Sequence, residues 1–547
     1  MGGSIPKLNL PDNEPVLSYA PGTPERAAVK AKLEEFISQA PLEIPCVIGG
    51  ERVYTGNIKE LRAPHDHDLV LAKVHLAGKE EALRAIEAAK EAWQEWSRMP
   101  WYQRIAIFLK AAEILAGPKR QDNNAATMLG QSKNIFQAEI DSACELIDFW
   151  RFNAYYAYLI YTDQPPISSR GVWNRLEYRP LEGFIFAVTP FNFTSIGGNL
   201  PTAPALMGNV AVWKPTFTQT LSAWVTYLIL EEAGLPPGVI NLIHAEPPQE
   251  VGEVCLTHPD LAGLHFTGST KTFQFMFRTI GENIDRYRSY PRIVGETGGK
   301  DFVFAHRSAD VEALITALSR GAFEYQGQKC SAASRAYIPQ SLWEEVREGL
   351  LRDISSMKMG DVRDFSNFLN AVIDEKAFNK ITGYLERVKQ DKEDAEILIG
   401  GGYDRSKGWF IEPTVVLAKR PDYVTMCEEI FGPVLSVYVY PDEEYENYLE
   451  ICNQTSPYGL TGSIFAQDRY AVELAERILT HAAGNFYIND KPTGAVVAQQ
   501  PFGGSRKSGT NDKAGSWLNL IRWVSPRAIK ETFTPPKDFR YPFMEES

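Results

Sequence analysis

The sequence predicts an α/β protein with two α/β domains in series. Short apolar runs such as GFIFAVTP, NVAVWKP and LAGLHFTG alternate with helix-like stretches that Pro and Gly punctuate. This alternation is typical of a parallel sheet with helices on both faces. The same rhythm resumes from Asp301 with DFVFAH, SRAYIPQ and VLSVYVY. The length of 547 residues is enough for two to four domains of roughly 100–200 residues each.

The elements that precede these runs are mostly helical. A short strand pair is predicted over 45–54, with Gly49 and Gly50 at its turn. From Gly78 onward, three segments carry an apolar stripe at helical spacing: KEEALRAIEAAKEAWQEW, YQRIAIFLKAAEILAG and AEIDSACELIDFWRFNAYYAYLI. The chain then breaks at Pro165-Pro166, and VWNRLEYRP is predicted to form a strand.

Composition and charge argue against several classes of protein. Hydrophobic residues make up 44% of the chain and charged residues 23%, so a disordered protein is not expected. The net charge of −13 argues against a dedicated nucleic-acid or anionic-membrane surface. No apolar run approaches the roughly 18–20 residues of a membrane span, and the N-terminus shows no targeting pattern. We therefore expect an intracellular protein with no membrane and no nucleic-acid partner.

Metal binding has little support in the sequence. The six cysteines contain no C-x-x-C pair. The alternating run His65-Asp66-His67-Asp68 superficially suggests a metal site, but beside Pro64 we expect an exposed, solvated loop. We therefore predict no metal site.

The strongest candidate for chemistry is Cys330, in the segment Gln328-Lys329-Cys330-Ser331 between a helical stretch and a strand. Gly327 permits a tight backbone approach, so the thiol could project at this junction as a nucleophile. The alternative is that Cys330, like most cysteines in long chains, is a small buried hydrophobe. Other candidate residues of the same site are needed to decide between these two interpretations.

Two such residues could act on a reacting carbonyl. Glu296 lies in the glycine-rich run GETGGK, where it could serve as a mobile general base or could merely cap backbone amides. Asn192 follows the strand GFIFAV, where it could donate to a developing oxyanion or could simply be a turn residue. Each alternative stays open when the residue is taken alone.

Two further motifs could bind a dinucleotide. Lys214 ends an apolar run, where it could hydrogen-bond ribose hydroxyls or be merely exposed. The run Phe266-Thr267-Gly268-Ser269-Thr270 opens a helix whose N-terminus could face a pyrophosphate. No GxGxxG motif follows any strand, and no P-loop is present.

Together the motifs PFNF, WKP, FTGS, ETGGK, GQKC and EEIFGP, in this order, resemble the aldehyde dehydrogenase superfamily. The spacing between Glu296 and Cys330 is also typical of that family. The runs PFNFTSIGGNLPTAPALMGN and GNFYINDKPTGAVVAQQPFGGSRKSGTND are similar to the branch that oxidises L-glutamate γ-semialdehyde to L-glutamate with NAD. The resemblance extends from about Glu14 to Lys530.

The resemblance implies a role for each matching residue. Cys330 is expected to be the nucleophile, Asn192 the oxyanion donor together with the Cys330 backbone N–H, and Glu296 the base that activates water. NAD is the expected cofactor, and the residues expected to contact it are Thr189, Lys214, Gly268, Ser269, Thr270, Lys271, Thr272, Glu429 and Phe431.

The resemblance also implies how the small-molecule substrate is recognised. Ser331, Gly494 and Ala495 are expected to bind its α-carboxylate, with Phe193 and Phe502 as aromatic walls. Some family members have Ser where this chain has Ala495, so we expect a lost hydroxyl contact rather than lost specificity. Glu145 is a weaker candidate for binding the substrate's amino group.

The implied fold is the aldehyde dehydrogenase fold, in three parts. They are a Rossmann-like NAD-binding domain over 1–159 and 180–298, a catalytic α/β domain over 299–514, and a small β oligomerisation flap over 160–179 and 515–547. Because an exposed flap edge seeks a partner strand, we expect a homodimer or a dimer-based homo-oligomer.

Three functions compete with this interpretation: a broader ω-carboxylate semialdehyde dehydrogenase, a non-catalytic protein on the same fold, and an acylating enzyme that uses coenzyme A. The expected compartment is the bacterial cytoplasm or, for a mature chain, the mitochondrial matrix.

Overall fold

The structure, a computed structural model, describes residues 6–545. Its strands are β1 (Leu42–Ile44), β2 (Cys46–Ile48), β3 (Glu51–Val53), β4 (Ile58–Ala63), β5 (Asp66–His75), β6 (Val172–Pro180), β7 (Phe184–Thr189), β8 (Val210–Pro215), β9 (Ile240–Leu242), β10 (Leu261–Thr267), β11 (Arg292–Glu296), β12 (Phe302–Ala305), β13 (Arg335–Pro339), β14 (Ala395–Ile399), β15 (Tyr403–Asp404), β16 (Phe410–Ile411), β17 (Thr414–Ala418), β18 (Val434–Tyr440), β19 (Tyr458–Gly459), β20 (Thr461–Phe465), β21 (Asn485–Ile488), β22 (Ser505–Arg506) and β23 (Val524–Thr532).

Its α-helices are α1 (Pro24–Gln39), α2 (Lys79–Trp96), α3 (Trp101–Ala116), α4 (Arg120–Gln131), α5 (Ile135–Ala138), α6 (Leu146–Thr162), α7 (Thr194–Leu206), α8 (Thr220–Ala233), α9 (Gln249–Thr257), α10 (Thr270–Glu282), α11 (Val311–Phe323), α12 (Trp343–Ser356), α13 (Glu375–Gln390), α14 (Val424–Cys427), α15 (Tyr445–Thr455), α16 (Arg469–Ile478) and α17 (Trp517–Leu520). A π-helix, Glu139–Glu145, joins α5 to α6.

The first large sheet has seven strands in the order β11-β10-β7-β8-β9-β2-β3. The five strands from β11 to β9 are parallel, and β2 and β3 close the edge as the predicted antiparallel pair. Every residue of β7 and β8 is buried, as expected for parallel strands covered on both faces. Glu296, at the end of β11, and Asn192, just after β7, therefore lie along the same edge of the sheet.

The second large sheet also has seven strands, in the order β14-β17-β18-β13-β12-β20-β21. All neighbours are parallel except β14, which runs antiparallel to β17. Cys330 lies between α11 and β13. All strands of this sheet come from residues after 299, and those of the first sheet come from residues before 298, so each sheet falls within one of the two predicted large domains. The domain boundaries themselves stay predictions.

The predicted flap range contains a two-stranded ribbon. β6 and β23 pair antiparallel along their whole length, from Val172↔Thr532 to Pro180↔Val524. Leu520 and Trp523, which precede this ribbon, are fully buried in the core of the first sheet. Their large apolar side chains bury more surface against the core than a two-stranded ribbon could cover. The ribbon is therefore formed by Val172–Pro180 and Val524–Thr532.

The run around His65 also differs from its prediction. His65 is buried rather than solvated, and its Nδ1 is 3.2 Å from the Ser132 hydroxyl. Burial lowers the pKa of His65 to about 4, so the ring is neutral at pH 7. Asp66 begins β5, which makes this run part of a three-stranded sheet rather than a free loop. Among residues 6–545, no helix is both long enough and apolar enough to span a membrane.

Candidate active site

The candidate nucleophile follows a strained turn. Tyr325, Gln326 and Gly327 have φ values of 51°, 55° and 66°, so three consecutive residues adopt the left-handed conformation. The Tyr325 hydroxyl donates to the Gln131 carbonyl (2.9 Å), and Gln326 Nε2 donates to the Ser132 carbonyl (3.0 Å). A Cβ at Gly327 would lie 2.1 Å from a backbone oxygen, which explains why glycine is needed there. The turn therefore fixes the position of Cys330.

Cys330 keeps some accessible surface in a small cavity that Gly299, Glu429 and Phe431 also line. Burial raises the pKa of the Cys330 thiol well above its usual value, and the charges of Asp301 and Glu296 raise it further. The thiol is therefore protonated in the resting protein. Its backbone N–H donates no hydrogen bond within residues 6–545, so this donor is available to an oxyanion.

Asn192 lies beside this loop, as predicted for an oxyanion donor. Its Nδ2 donates to the Gln328 carbonyl (3.1 Å), two residues before Cys330. A side-chain amide carries two N–H donors, so one is left for a ligand. The side chain is buried, which strengthens a hydrogen bond to a developing charge.

Glu296 is the last residue of β11. Its Oε2 is buried and has no hydrogen-bond partner among the described residues. Burial raises the pKa of Glu296 well above its usual value, and nearby Lys513 opposes the shift. A carboxyl group that gains its charge at higher pH than usual is a better general base near neutrality.

Lys214 and Thr189 lie at the ends of neighbouring strands. Burial lowers the pKa of Lys214 to about 8, and Nζ has one long contact, 3.4 Å, to the Pro215 carbonyl. An ammonium with unused donors fits the predicted contact with ribose hydroxyls. The Thr189 hydroxyl is instead engaged, since it donates to Gln219 Oε1 (3.0 Å) and accepts from Trp213 Nε1 (3.1 Å). A direct cofactor contact through that hydroxyl stays a prediction.

The predicted pyrophosphate segment forms the N-terminus of α10. Ser269 caps this helix by accepting a hydrogen bond from the Thr272 N–H (3.2 Å). Gly268 donates its N–H to the Glu296 carbonyl (3.2 Å), which ties this segment to the candidate base. The backbone N–H groups of Thr270 and Lys271 remain as donors at the positive end of the helix dipole.

Glu429 and Phe431 complete the predicted cofactor set from the second sheet. Glu429 Oε1 accepts the Gly299 N–H (3.0 Å), and burial raises the pKa of the carboxyl group. Phe431 adopts the left-handed region with φ 62°. Its ring meets the Phe191 ring edge-on at 5.9 Å, so segments that follow strands of the two large sheets are in contact.

The predicted carboxylate site lies next to the nucleophile. The Ser331 hydroxyl donates to Thr493 Oγ1 (2.9 Å), which ties the loop that carries Gly494 and Ala495 to the nucleophile. Gly494 has φ 95°, a conformation that favours glycine. Neither the Gly494 nor the Ala495 N–H donates a hydrogen bond within the described residues, so both can bind an anion.

The remaining predicted substrate residues are Phe193, Phe502 and Glu145, all of them partly exposed. Phe502 is held by paired backbone hydrogen bonds with Ala514 (3.0 and 2.8 Å). The carboxyl group of Glu145, at the end of the π-helix, lies 2.7 Å from the Ser195 hydroxyl oxygen. Burial, followed by the charge of Asp141, raises the pKa of Glu145 to about 8.

Sequence reasoning missed two buried ion pairs at this site. Lys329 Nζ lies 2.9 Å from Glu324 Oε2, directly before the nucleophile. Lys133 Nζ lies 2.6 Å from Asp141 Oδ2, behind Phe193. Lysines and carboxylates are normally exposed, so nothing in the sequence alone distinguishes these four from surface residues.

Comparison with known proteins agrees with this geometry. The aldehyde dehydrogenase family model matches residues 55–522, and the chain belongs to this family. The mitochondrial delta-1-pyrroline-5-carboxylate dehydrogenase of Dictyostelium discoideum is 54% identical over 539 residues, which cover 98% of this chain and 96% of that relative. The fold is therefore the aldehyde dehydrogenase fold, as the sequence predicted.

Two solved structures are similar over nearly the whole chain. The Delta-pyrroline-5-carboxylate dehydrogenase from Mycobacterium tuberculosis bound with NAD has a TM-score of 0.96 and 52% identity, with 100% of both chains covered. The 1-pyrroline-5-carboxylate dehydrogenase from Thermus with bound NAD has a TM-score of 0.90 and 32% identity, with 96% of this chain and 99% of that chain covered.

Proposed function

We propose that this chain oxidises L-glutamate γ-semialdehyde, which equilibrates with 1-pyrroline-5-carboxylate, to L-glutamate with NAD as cofactor. The observation that carries the proposal is the 3.1 Å hydrogen bond from Asn192 to the Gln328 carbonyl, which sets an oxyanion donor beside Cys330. The naming of the relatives as pyrroline-5-carboxylate dehydrogenases supports the same substrate. The reaction is the second step of proline catabolism.

The residues present fit the cofactor. Lys214 offers a buried ammonium with unused donors, and the N-terminus of α10 offers free N–H groups for a pyrophosphate. Glu429 would accept from ribose hydroxyls at the other end of the dinucleotide. When bound, NAD accepts the hydride that the substrate loses.

The chain's own residues carry out the other steps. Cys330 releases its proton to solvent and attacks the aldehyde carbon as a thiolate, so that a C–S bond forms and the carbonyl electron pair moves to oxygen. Asn192 and the Cys330 N–H stabilise this oxyanion. Loss of hydride from the same carbon leaves a thioester on Cys330. Glu296 then takes a proton from water, which attacks the thioester and breaks the C–S bond. Glu296 passes this proton to the departing sulfur, so that the acid is released and the thiol is restored.

Substrate selection rests on the carboxylate site. Gly494 and Ala495 offer two N–H groups to an anion, and the Ser331 hydroxyl ties their loop to the nucleophile through Thr493. Alanine at position 495 lacks the hydroxyl contact that serine would make, but the backbone N–H of Ala495 remains. An ω-carboxylate aldehyde without an amino group forms only part of these contacts, because Glu145 has no ammonium to bind.

The substrate is tested by comparing kcat/KM for 1-pyrroline-5-carboxylate and for succinate semialdehyde, with NADH formation as readout. We expect a clear preference for the former, and Cys330→Ala should abolish both activities. Equal values would favour the broader ω-carboxylate semialdehyde dehydrogenase. Product formation only in the presence of coenzyme A would favour the acylating enzyme, for which Glu296 has little purpose.

We further propose that the chain forms a homodimer or a dimer-based homo-oligomer through the β6–β23 ribbon. The ribbon is largely exposed, and it carries Trp173 and ends next to Phe533, which are 52% and 62% exposed. The proposed compartment is the bacterial cytoplasm, with the mitochondrial matrix as alternative, since one relative is named mitochondrial and another comes from a bacterium.

A further inference from the structure

A buried ion pair lies behind the oxyanion side of the site. Lys133 Nζ is 2.6 Å from Asp141 Oδ2, and the two side chains are 0% and 2% exposed. Charges removed from water are costly unless their surroundings compensate them. Burial lowers the pKa of Lys133, whereas Asp141 opposes the shift. The other contacts of Lys133 and Asp141 indicate a role for this pair.

The lysine joins two segments that carry reacting groups. Its Nζ lies 4.4 Å from the ring centroid of Phe193 and 4.4 Å from that of Tyr325. Phe193 directly follows Asn192, whereas Tyr325 belongs to the strained turn before Cys330. A desolvated cation between two aromatic faces attracts both of them. The Lys133 ammonium group therefore holds the segment of Asn192 and Phe193 against the turn before Cys330.

The aspartate fixes the start of α7. Asp141 accepts the N–H of Thr194 and the N–H of Ser195, each at 3.1 Å, as well as the Ser195 hydroxyl at 2.9 Å. The first N–H groups of a helix lack helical partners, and a carboxylate there also suits the helix dipole. The π-helix thus caps α7 from outside, immediately after Asn192.

We propose that Lys133 and Asp141 are positioning residues that hold the Asn192 amide at the distance from Cys330 that oxyanion stabilisation requires. Neither residue touches the reacting atoms; they act through Phe193, Tyr325 and the start of α7. The inference rests on the proposed cysteine chemistry of the same site, and it adds residues that the motif pattern does not include.

The first test measures acylation of Cys330 by p-nitrophenyl acetate at stoichiometric enzyme, with Cys330→Ala as background. This ester needs neither aldehyde nor dinucleotide, so the assay stays informative even if L-glutamate γ-semialdehyde proved to be the wrong substrate. We expect Lys133→Met to slow the Cys330-dependent acylation by about 10- to 100-fold, because a misplaced oxyanion donor costs that much. Unchanged acylation in a folded Lys133→Met protein would overturn the proposal.

The second test asks whether Lys133 acts through Asn192. In a double-mutant cycle, Lys133→Met should add little to the loss already caused by Asn192→Ala. Losses that multiply would mean that Lys133 acts by another route. The kcat/KM for propanal and for 1-pyrroline-5-carboxylate should fall by the same factor. A loss confined to the carboxylate substrate would make Lys133 a substrate ligand and contradict the positioning role.

Two variants separate positioning from folding. Arg120→Met breaks another buried ion pair on the π-helix, with Glu139, which touches neither aromatic ring; its acylation rate per folded molecule should match the wild type. If Lys133→Met alone does not fold, the double variant Lys133→Met/Asp141→Asn leaves no unpaired buried charge and should show the same slow acylation. Wild-type acylation in that double variant would overturn the proposal equally.

Discussion

At the scale of single residues, the site is defined by groups whose charged forms are disfavoured. Burial raises the pKa of Cys330 and of Glu296, and each carboxylate near the thiol raises the pKa of Cys330 further. Such groups cost stability in the folded protein, and groups with strongly shifted pKa values cluster at functional sites, which supports the roles proposed for Cys330 and Glu296. The catalytic pair should therefore have a measurable effect on stability as well as on rate.

The first prediction concerns Glu296→Gln. In the unfolded chain this carboxyl group ionises near its usual pKa, whereas in the folded protein it stays protonated to higher pH. Wild-type stability is therefore lost as pH rises from the unfolded pKa toward the raised folded pKa, and glutamine removes this loss. We expect the Tm of Glu296→Gln to exceed that of the wild type by a margin that grows from pH 5 to pH 8. Turnover should fall by about 10²- to 10⁴-fold.

Scanning calorimetry at several pH values measures this margin. Glu312→Gln, at an exposed glutamate on α11, is the matched control and should show no such margin. A margin for Glu296→Gln that does not change with pH would contradict the assignment of a buried, high-pKa carboxyl group.

The second prediction concerns Glu145. Only its ionised form can bind an ammonium group, and its pKa of about 8 means that this form appears as pH rises through 8. The inhibition constant of the product L-glutamate should therefore fall by about tenfold between pH 6.5 and pH 9. In Glu145→Gln, L-glutamate should inhibit more weakly, and its inhibition constant should be nearly independent of pH. The same pH dependence in both proteins would show that another group binds the ammonium.

At the scale of elements, several irregular segments hold the site together. The strained turn Tyr325–Gly327, the π-helix and the loop of Gly494 each depart from regular geometry, and each is held by buried hydrogen bonds to a neighbouring segment. Such irregularity persists only where the surroundings over-determine it. The contacts of these short segments join the two large sheets. We therefore expect the rigidity of the segments to affect substrate binding more than their short length suggests.

The third prediction concerns Gly494→Val. Valine is strained at φ 95°, so the carboxylate loop must move. We expect KM for 1-pyrroline-5-carboxylate to rise by about 10- to 100-fold, the cost of losing a charge-assisted hydrogen bond, with little change for propanal. Gly56→Val, at φ 79° in an open turn, is the matched control for backbone strain. Equal losses for both aldehydes would argue against a carboxylate site.

The fourth prediction concerns the β6–β23 ribbon. The double variant Trp173→Glu/Phe533→Glu removes two exposed aromatic side chains from the proposed interface. We expect the Kd for self-association to rise by roughly tenfold or more, measured by analytical ultracentrifugation. Tyr470→Glu, at an aromatic residue 84% exposed on α16, should leave association unchanged. An unchanged oligomer in the ribbon variant would place the interface elsewhere.

At the scale of the whole molecule, the two parallel sheets explain how distant motifs meet. Asn192, Lys214 and Glu296 lie at or just after the ends of strands of the first sheet, whereas Cys330 and Glu429 lie in segments that connect strands of the second sheet. The Asn192–Gln328 hydrogen bond and the Phe191–Phe431 ring contact join the two. The acidic net charge has no visible role here, because local N–H groups and Lys214 decide anion binding at short range.

Much of this arrangement could be predicted from the sequence, because short motifs at strand ends are local features. The alternation of strands and helices predicted the sheets, and motif order predicted the family. The Lys133–Asp141 pair could not be predicted, since its role depends on which rings the folded chain places beside it. Similarly, the burial of Leu520 and Trp523 in the core of the first sheet could not be predicted, because tertiary packing rather than local pattern decides it.

The central claim, that Cys330 carries the substrate as a thioester which Glu296 hydrolyses, is tested most directly in Glu296→Gln. The variant should be mixed with 1-pyrroline-5-carboxylate and NAD, quenched with acid, and its peptides analysed by mass spectrometry. The account predicts about one equivalent of NADH per active site and a glutamyl adduct on the peptide that contains Cys330. Continued turnover without an adduct, or an adduct on another cysteine, would contradict it.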